Sequence, residues 1–515
     1  MKRLLIMLAA ACAGLGALAA CSTRPATAAK APAPQARTCN EMFNLTLAHA
    51  RVDSVEEIAP GWDLPPSPFN VFSPTKKVDA AFCRVRLTVE SEIKVEVWLP
   101  PSWNGRQLGV GNGGFSGAFD YPAMARNVAQ GFAVSATDTG HETPTNVFDV
   151  SWMPGHRDRI ENFAHRAHHL LAQTAREVIT ARYANAPHHA YFSGCSSGGW
   201  QGMTEAQRYP GDYDGVLAGA PAFNWVRLLA NGVLGQQYTL QHPGAALSVE
   251  DDRLVQSAAV AACDMNDGVR DGLIENPRAC RFDPARLQCR GAKRADCLTR
   301  AQVQRVRDSF GLRTSPGGQK LYPGPSWGSA PNIDWTGRPG ITQGEDTFAH
   351  LAMRERPTWS YATFDADRDL PAMQADMGAT FASFDPNLTA FRDRGGKLIV
   401  YHGWNDNLLS PENTLDYYAQ AEATMGADVR SFARLFMVPG MEHCAGGPGP
   451  WMFDGLSALV AWVEQGEAPA HLIAAHPGPS GAPDRTRPLC PWPQIARYRG
   501  EGASDEAANF SCAAQ

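Results

Sequence analysis

Six short apolar runs in this chain end in the same way. Residues 94–99 (KVEVWL), 107–110 (QLGV), 132–136 (FAVSA), 189–193 (HAYFS), 397–401 (KLIVY) and 435–438 (LFMV) run into PPSWNG, GNGGF, TDTGH, GCSSGG, HGWND and PGMEHC. Each run has the length of a buried strand, and each stops at glycine or at a cluster of polar residues. Helical patterns lie between several of them, such as residues 161–183, with apolar positions three and four apart. Strands that alternate with helices predict an α/β fold with a mostly parallel sheet covered on both faces. In such sheets the working groups gather beyond the carboxyl ends of the strands, where these glycine-rich and polar sequences fall.

The chain has 515 residues, enough for a large core carrying an insertion. Its net charge is −6, and it contains no basic block of five or more residues, so nucleic acid is an unsuitable partner. Lys2 and Arg3 precede an apolar run over 4–20 that is too short for a comfortable membrane span. The run ends in Leu18-Ala19-Ala20-Cys21, which resembles the bacterial lipobox and implies cleavage before Cys21 and acylation of its thiol. Residues 1–20 are therefore read as a lipoprotein-type signal. Residues 21–38, rich in Ala, Pro and Thr, are read as a flexible tether. An exported protein, periplasmic or held at the outer membrane by its lipid, follows from this reading. Residues 39–222 and 392–515 carry the strand runs and form the two parts of the core. Residues 223–391 have few such runs and are read as an inserted lid domain.

Gly194-Cys195-Ser196-Ser197-Gly198 fits G-x-S-x-G between a strand-like run and a helix-capable stretch over 200–208. A serine on a sharp strand-to-helix turn holds its hydroxyl clear of the sheet, and flanking glycines let the chain pass its neighbours without Cβ clashes. The hydroxyl needs a base, and the base needs an orienting carboxylate. In the hydrolase order Ser, Asp, His, the partners are Asp406, after the KLIVY run, and His443, after the LFMV run. Asp138 and Asp385 are rival carboxylates. The Ser197 N–H would meet a developing oxyanion. The glycine loop 111–115 would supply the second donor, from Gly113 or Gly114, with Gly113 preferred.

Twelve cysteines are present. Cys12 leaves with the signal and Cys21 takes the lipid, so ten remain, an even number in a compartment where disulfides persist. Many pairings are open. Local spacing suggests Cys263 with Cys280, Cys289 with Cys297 and Cys490 with Cys512. Cys39 and Cys83 would close the N-terminal segment, and Cys195 and Cys444 remain for each other. If Ser196 and His443 hydrogen-bond, these two neighbours must also lie close.

Cys-Ser at the nucleophile, Asp in HGWND and His-Cys in GMEHC resemble the tannase and feruloyl esterase family. GNGGF, ATDTGH and YFSGCSSGG agree, and the resemblance spans the chain from Cys39 to the C-terminal cysteines. It implies an α/β-hydrolase core, a lid domain, and a disulfide between the two catalytic loops. It also implies hydrolysis of esters of aromatic acids, galloyl, feruloyl or terephthaloyl. The triad alone does not exclude another acyl specificity or an amidase, and a non-catalytic surface lipoprotein is the rival from another class.

Residues 263–280 read CDMNDGVRDGLIENPRAC. Asp264, Asp267 and Asp271 are hard oxygen donors packed closely enough to suit Ca²⁺. The spacing is not that of an EF-hand, because Gly268 stands where an acidic ligand would belong. The resemblance implies a structural calcium held by these three carboxylates and by the carbonyls of Val269 and Leu273. No zinc-type Cys/His spacing occurs. Trp327, Trp335, Phe348 and Trp359 are candidates to stack on a substrate ring, and Arg354 or Arg356 to hold a substrate carboxylate, although each also suits an ordinary structural place.

Overall fold

The computed structural model describes residues 35–143, 146–331 and 361–515. Cys21, Trp335, Phe348, Arg354, Arg356 and Trp359 lie outside the described residues. Nine strands form one sheet: β1 (Ala50–Ile58), β2 (Phe82–Val89), β3 (Ile93–Leu99), β4 (Arg106–Val110), β5 (Ala133–Thr137), β6 (His189–Cys195), β7 (Gly215–Gly219), β8 (Lys397–Gly403) and β9 (Ala433–Val438). Their spatial order is β1-β2-β3-β5-β4-β6-β7-β8-β9. The three pairings from β1 to β5 are antiparallel. The five from β5 to β9 are parallel. This is the mostly parallel α/β sheet that the strand runs predict, in the arrangement of an α/β hydrolase that the family resemblance implies. The sequence reading did not anticipate β1, β2 and β7.

Side chains of the central strands alternate between the two faces, as a pleated strand requires. Tyr191, Leu217, Ile399 and Phe436 pack into one apolar cluster. Their chain neighbours Phe192, Val216, Val400 and Leu435 pack into another on the opposite face. The first face is covered by α1 (Tyr121–Val128) and by the helix Gly455–Gln465, through Met124, Leu459 and Trp462. On the other face, α2 (Ala167–Tyr183) covers β2 and β3 through Leu171, Ala175 and Val178. The expected helix over 161–183 is thus mostly α2, entered through a π-helical turn, Asn162–Arg166.

The helix after β6, α3 (Ser197–Arg208), starts earlier than its composition suggests, although glycines stand at 198, 199 and 202. Glycine costs roughly 1 kcal/mol in a helix interior. Here packing outweighs that cost: a Cβ at Gly199 would lie 2.1 Å from the Gly219 carbonyl oxygen, and one at Gly202 3.0 Å from Val216.

Between the adjacent strands β7 and β8 the chain makes its long excursion. It includes α4 (Trp225–Gln241), α5 (Val249–Cys263), α6 (Arg300–Phe310) and α7 (Ala366–Met377). α5 and α6 each begin with a reciprocal capping box, Ser248 with Asp251 and Thr299 with Gln302. Val255, Ala259, Ile274, Phe282, Leu298 and Val306 give this region a small core of its own. A second cluster joins Trp225, Leu229, Leu370 and Phe381 of the excursion to Phe115, Phe163 and Trp200 of the sheet domain.

The parallel register sets the site. Cys195 pairs with Gly219, Gly219 with Tyr401, and Gly403 with Val438. The carboxyl ends of β6 to β9 therefore share one edge, and Ser196, Asp406 and His443 follow on it within a few residues. From β4 the chain turns to β5 on one side, and from β6 to β7 on the other, so the strand order reverses between β4 and β6. The glycine loop and Ser196 sit at that reversal, where open α/β sheets bind ligands.

Candidate active site

Ser196 occupies a strained turn. Its backbone has φ 64° and ψ −121°, a region that residues with a Cβ rarely adopt. Three backbone hydrogen bonds hold it there: Ser196 N–H to the Gly219 carbonyl (3.0 Å), and Trp200 and Ala222 N–H to the Ser196 carbonyl (2.9 and 3.2 Å). A Cβ at Gly194 would lie 2.7 Å from the Gly198 carbonyl carbon, so the turn closes only with glycines on both sides. Ser196 precedes the helix without capping it by its side chain, which leaves the hydroxyl uncommitted to the backbone.

Asp406 and His443 meet directly, His443 Nδ1 to Asp406 Oδ2 at 2.8 Å. Asp406 is fully buried, and His443 is about a quarter exposed. The other Asp406 oxygen accepts the N–H groups of Leu408 and Leu409, both at 2.9 Å. A second imidazole, buried His402, reaches Asp406 Oδ2 at 3.1 Å and the Leu409 carbonyl at 3.0 Å through Nε2. A carbonyl only accepts, so His402 Nε2 carries the proton, and Nδ1 accepts from the Thr414 hydroxyl at 2.8 Å. Burial alone would raise the Asp406 pKa. The His443 charge, with the hydrogen bonds from His402 and His443, outweighs it and holds the carboxyl well below its ordinary range. His402 escaped the sequence reading. Its only signal is its place at the end of β8, four residues before Asp406.

Cys195 and Cys444 form a disulfide with their Cα atoms 6.0 Å apart, joining the residue before Ser196 to the residue after His443. Cys444 also has a positive φ, 64°. No hydrogen bond joins the Ser196 hydroxyl to His443, whose Nε2 stands 3.6 Å from Cys444 Sγ; such contacts commonly tighten only when substrate binds. The other disulfides are Cys263–Cys280, Cys289–Cys297 and Cys490–Cys512, the pairs that local spacing suggests, and Cys39–Cys83, which closes the N-terminal segment as expected.

Ser197 is the first residue of α3, so its N–H has no partner within the helix. Its hydroxyl donates to the Gly114 carbonyl at 2.6 Å, which draws the glycine loop against the helix. Gly114 has φ +59°, and a Cβ there would lie 2.4 Å from the Val147 carbonyl oxygen; a Cβ at Gly113 would lie 2.9 Å from Phe69. The TDTGH loop backs this loop from the other side. His141 Nε2 donates to the Phe115 carbonyl at 2.9 Å, and the Gly117 N–H to Thr143 Oγ1 at 2.7 Å.

The rival carboxylates have other work. Asp138 Oδ1 accepts the N–H groups of Lys94 and Gly140, both at 2.8 Å. Asp385 accepts that of Asn387 at 2.9 Å. Trp327 stacks on Phe310 at 4.0 Å and meets Phe282 edge-on, a structural place within the excursion.

In the acidic loop, Asp264 Oδ1 accepts from Asp271 and Gly272 N–H (3.0 and 3.1 Å), Asp267 Oδ1 from Val269 N–H (2.9 Å) and Asp271 Oδ1 from Leu273 N–H (3.1 Å). Buried Arg487 pairs with Asp271. Burial raises the Asp267 pKa to about 6, aided by the Asp271 and Asp264 charges against the Val269 hydrogen bond and Arg487. Among the described residues no three such groups converge closely enough to hold a metal as they stand. The donor set is nonetheless all oxygen, and its crowded negative charge is what a calcium ion would neutralise.

The family model described as tannase and feruloyl esterase matches residues 77–513. The chain is 35% identical over 501 residues to mono(2-hydroxyethyl) terephthalate hydrolase of Piscinibacter sakaiensis, covering 82% of each chain. It is 32% identical to a probable feruloyl esterase B-2 of Aspergillus terreus, covering 87% of this chain and 89% of the relative. The crystal structure of feruloyl esterase B from Aspergillus oryzae superposes with a TM-score of 0.83 at 30% identity, over 92% of this chain and 99% of that one. The fold of tannin acyl hydrolase from Aspergillus niger matches with a TM-score of 0.77 at 20% identity, over 93% and 95%. The chain belongs to the tannase and feruloyl esterase family and is a carboxylic ester hydrolase.

Proposed function

We propose that this enzyme hydrolyses esters of aromatic carboxylic acids, of feruloyl, galloyl or terephthaloyl type, through a Ser196–His443–Asp406 triad and an acyl-enzyme. The observation that carries this reading is the buried Asp406 bonded to His443 at 2.8 Å, on a loop disulfide-linked to the Ser196 turn. The names of the relatives supply the acyl class. Ser196 Oγ attacks the ester carbonyl while His443 takes its proton. Asp406 keeps the His443 Nδ1 proton in place and stabilises the imidazolium. The Ser197 and Gly113 N–H groups receive the tetrahedral oxyanion, whose stabilisation is usually the largest catalytic contribution. His443 then protonates the leaving alcohol, and water repeats the sequence on the acyl-enzyme.

The excursion between β7 and β8 acts in this reading as a lid over the acyl pocket. Asp264, Asp267, Asp271 and the carbonyls of Val269 and Leu273 would hold one calcium that stiffens the loop, remote in sequence from the chemistry. Five disulfides suit an exported protein, and acylated Cys21 would hold it at a membrane surface.

The test is hydrolysis of methyl gallate, methyl ferulate, mono(2-hydroxyethyl) terephthalate and a short aliphatic ester, with Ser196→Ala as the blank. Preference for one aromatic acid supports the proposal. Activity only on the aliphatic ester discards the acyl class, and wild-type turnover by Ser196→Ala discards the triad.

A further inference from the structure

Asn112, the residue before Gly113, is the most heavily tied side chain of the glycine loop. Its Nδ2 donates to the carbonyls of Ala118 and Thr137, both at 2.9 Å. Two carbonyl acceptors fix the amide's orientation, so Oδ1 must accept. It does so from His168 Nε2 at 2.9 Å and from Gln201 Nε2 at 3.4 Å. His168 therefore carries its proton on Nε2. Burial, opposed only by a hydrogen bond with Gln201, pushes the His168 pKa down to about 3, so the ring stays neutral. The Asn112 backbone N–H in turn donates to Gln201 Oε1 at 2.9 Å. One Gln201 amide thus reads both the main chain and the side chain of Asn112. All three residues are at most 4% exposed.

Gln201 stands one helical turn after Ser197 on α3, and residues four apart share a helix face. The Ser197 hydroxyl holds Gly114 and the Gln201 amide holds Asn112, so Gly113 lies between two ties to one helix face. The backbones are also in contact. A Cβ at Gly111 would lie 2.6 Å from Gly198 Cα, and one at Gly198 2.7 Å from the Asn112 carbonyl oxygen. The loop cannot slide along α3 without breaking both ties.

We propose that Gln201 and His168 are positioning residues that lock the glycine loop to the nucleophile helix through Asn112, holding the Gly113 and Ser197 N–H groups as a rigid oxyanion-binding pair. This rests on the oxyanion assignment above. Neither residue touches substrate. They act by denying the loop any other register, because leaving a buried amide unpaired is costly.

Gln201→Met keeps the length of the side chain and removes both hydrogen bonds. Misplacement of a catalytic group by about 1 Å can cost about 100-fold, so kcat should fall ~10- to 100-fold with KM changed less than about threefold. Gln201→Glu keeps the acceptor for the Asn112 N–H and should fall between Gln201→Met and wild type. An arylboronic acid forms a tetrahedral adduct on the nucleophile and places an oxygen where the oxyanion would lie. Its inhibition constant should rise by the same factor as kcat falls, a match that a merely structural role would not produce. If Gln201→Met does not fold, His168→Phe, which removes one bond, carries the same paired measurement. A folded Gln201→Met or His168→Phe with wild-type kcat, or with lowered kcat and unchanged boronate affinity, overturns the proposal. Ser196→Ala separates the two readings: an active Ser196→Ala sinks the triad, whereas an inactive one beside a fully active Gln201→Met sinks only the clamp.

Discussion

His402 Nε2 stands 3.1 Å from Asp406 Oδ2, the same oxygen that His443 Nδ1 reaches at 2.8 Å. The carboxylate thus faces a fully buried imidazole, His402, and a partly exposed one, His443. The inner ring acts as a fixed donor, with its other nitrogen occupied by Thr414. His402→Phe should leave Asp406 short of one buried hydrogen bond, worth about 1.5–3 kcal/mol for a charged acceptor. We expect kcat to fall ~10-fold or more and the melting temperature to drop by several degrees. Steady-state kinetics and calorimetry check this. Unchanged values in both would mean that Asp406 needs only His443 and its two backbone donors.

The Cys195–Cys444 bond closes a loop of 249 residues. The chain-entropy model assigns a closure of that size about 5 kcal/mol, an account that is disputed. Its place beside Ser196 and His443 gives it a second effect. Cys195→Ser with Cys444→Ser should lower kcat at least ~10-fold at temperatures where circular dichroism shows an intact fold. A variant that loses stability yet keeps wild-type kcat below its melting point would make this disulfide a structural staple alone.

The Asp138 carboxyl is raised to about 8, by burial first and by Glu142, against the hydrogen bonds from Gly140 and Lys94. It is therefore protonated in the fold at neutral pH. Because the folded value lies above the unfolded one, its contribution to stability is fully present below about pH 4 and is lost as pH rises through 8. Asp138→Asn keeps an oxygen for both N–H donors and cannot ionise. Its melting temperature should match wild type below about pH 4 and exceed it by a margin that grows up to pH 8. Parallel pH profiles for the two proteins would show that Asp138 does not set this dependence.

The strands that end in the candidate-site loops were legible because each pairs an apolar run with an abrupt polar stop. The parallel register then brought Ser196, Asp406 and His443 to one edge of the sheet. β7 escaped because GVLAG is short and rich in small residues. Gly219 is needed there since a Cβ would lie 2.2 Å from the Tyr401 ring, a constraint set by a strand far along the chain. His402, His168 and Gln201 escaped for a related reason. A buried polar residue inside an apolar run or a helix shows its role only through partners that the fold supplies. The TDTGH stretch supported the family resemblance, but its work, backing the glycine loop through His141 with Thr143 just beyond it, is visible only in three dimensions.

Calcium, if it binds the acidic loop, should act on stability rather than on chemistry. Asp264, Asp267 and Asp271 lie within eight residues, and a nearby disulfide joins Cys263 to Cys280. Arg487, buried and paired with Asp271, already supplies one positive charge from the C-terminal part of the core. A divalent ion would add the charge that the remaining carboxylates lack and would strengthen this junction. At a hundredfold excess over its dissociation constant, such a ligand stabilises the fold by about 2.7 kcal/mol. Chelation should therefore lower the melting temperature by a few degrees, with restoration by Ca²⁺ and little restoration by Mg²⁺, which demands a tighter octahedral site. kcat well below the transition should stay within about twofold. Metal analysis should return one calcium per chain for the wild type and much less for Asp264→Asn. A chain that binds no calcium after exchange into calcium-containing buffer, with a melting temperature indifferent to chelation, would leave the neutralisation of this loop to arginines such as Arg487 and Arg485.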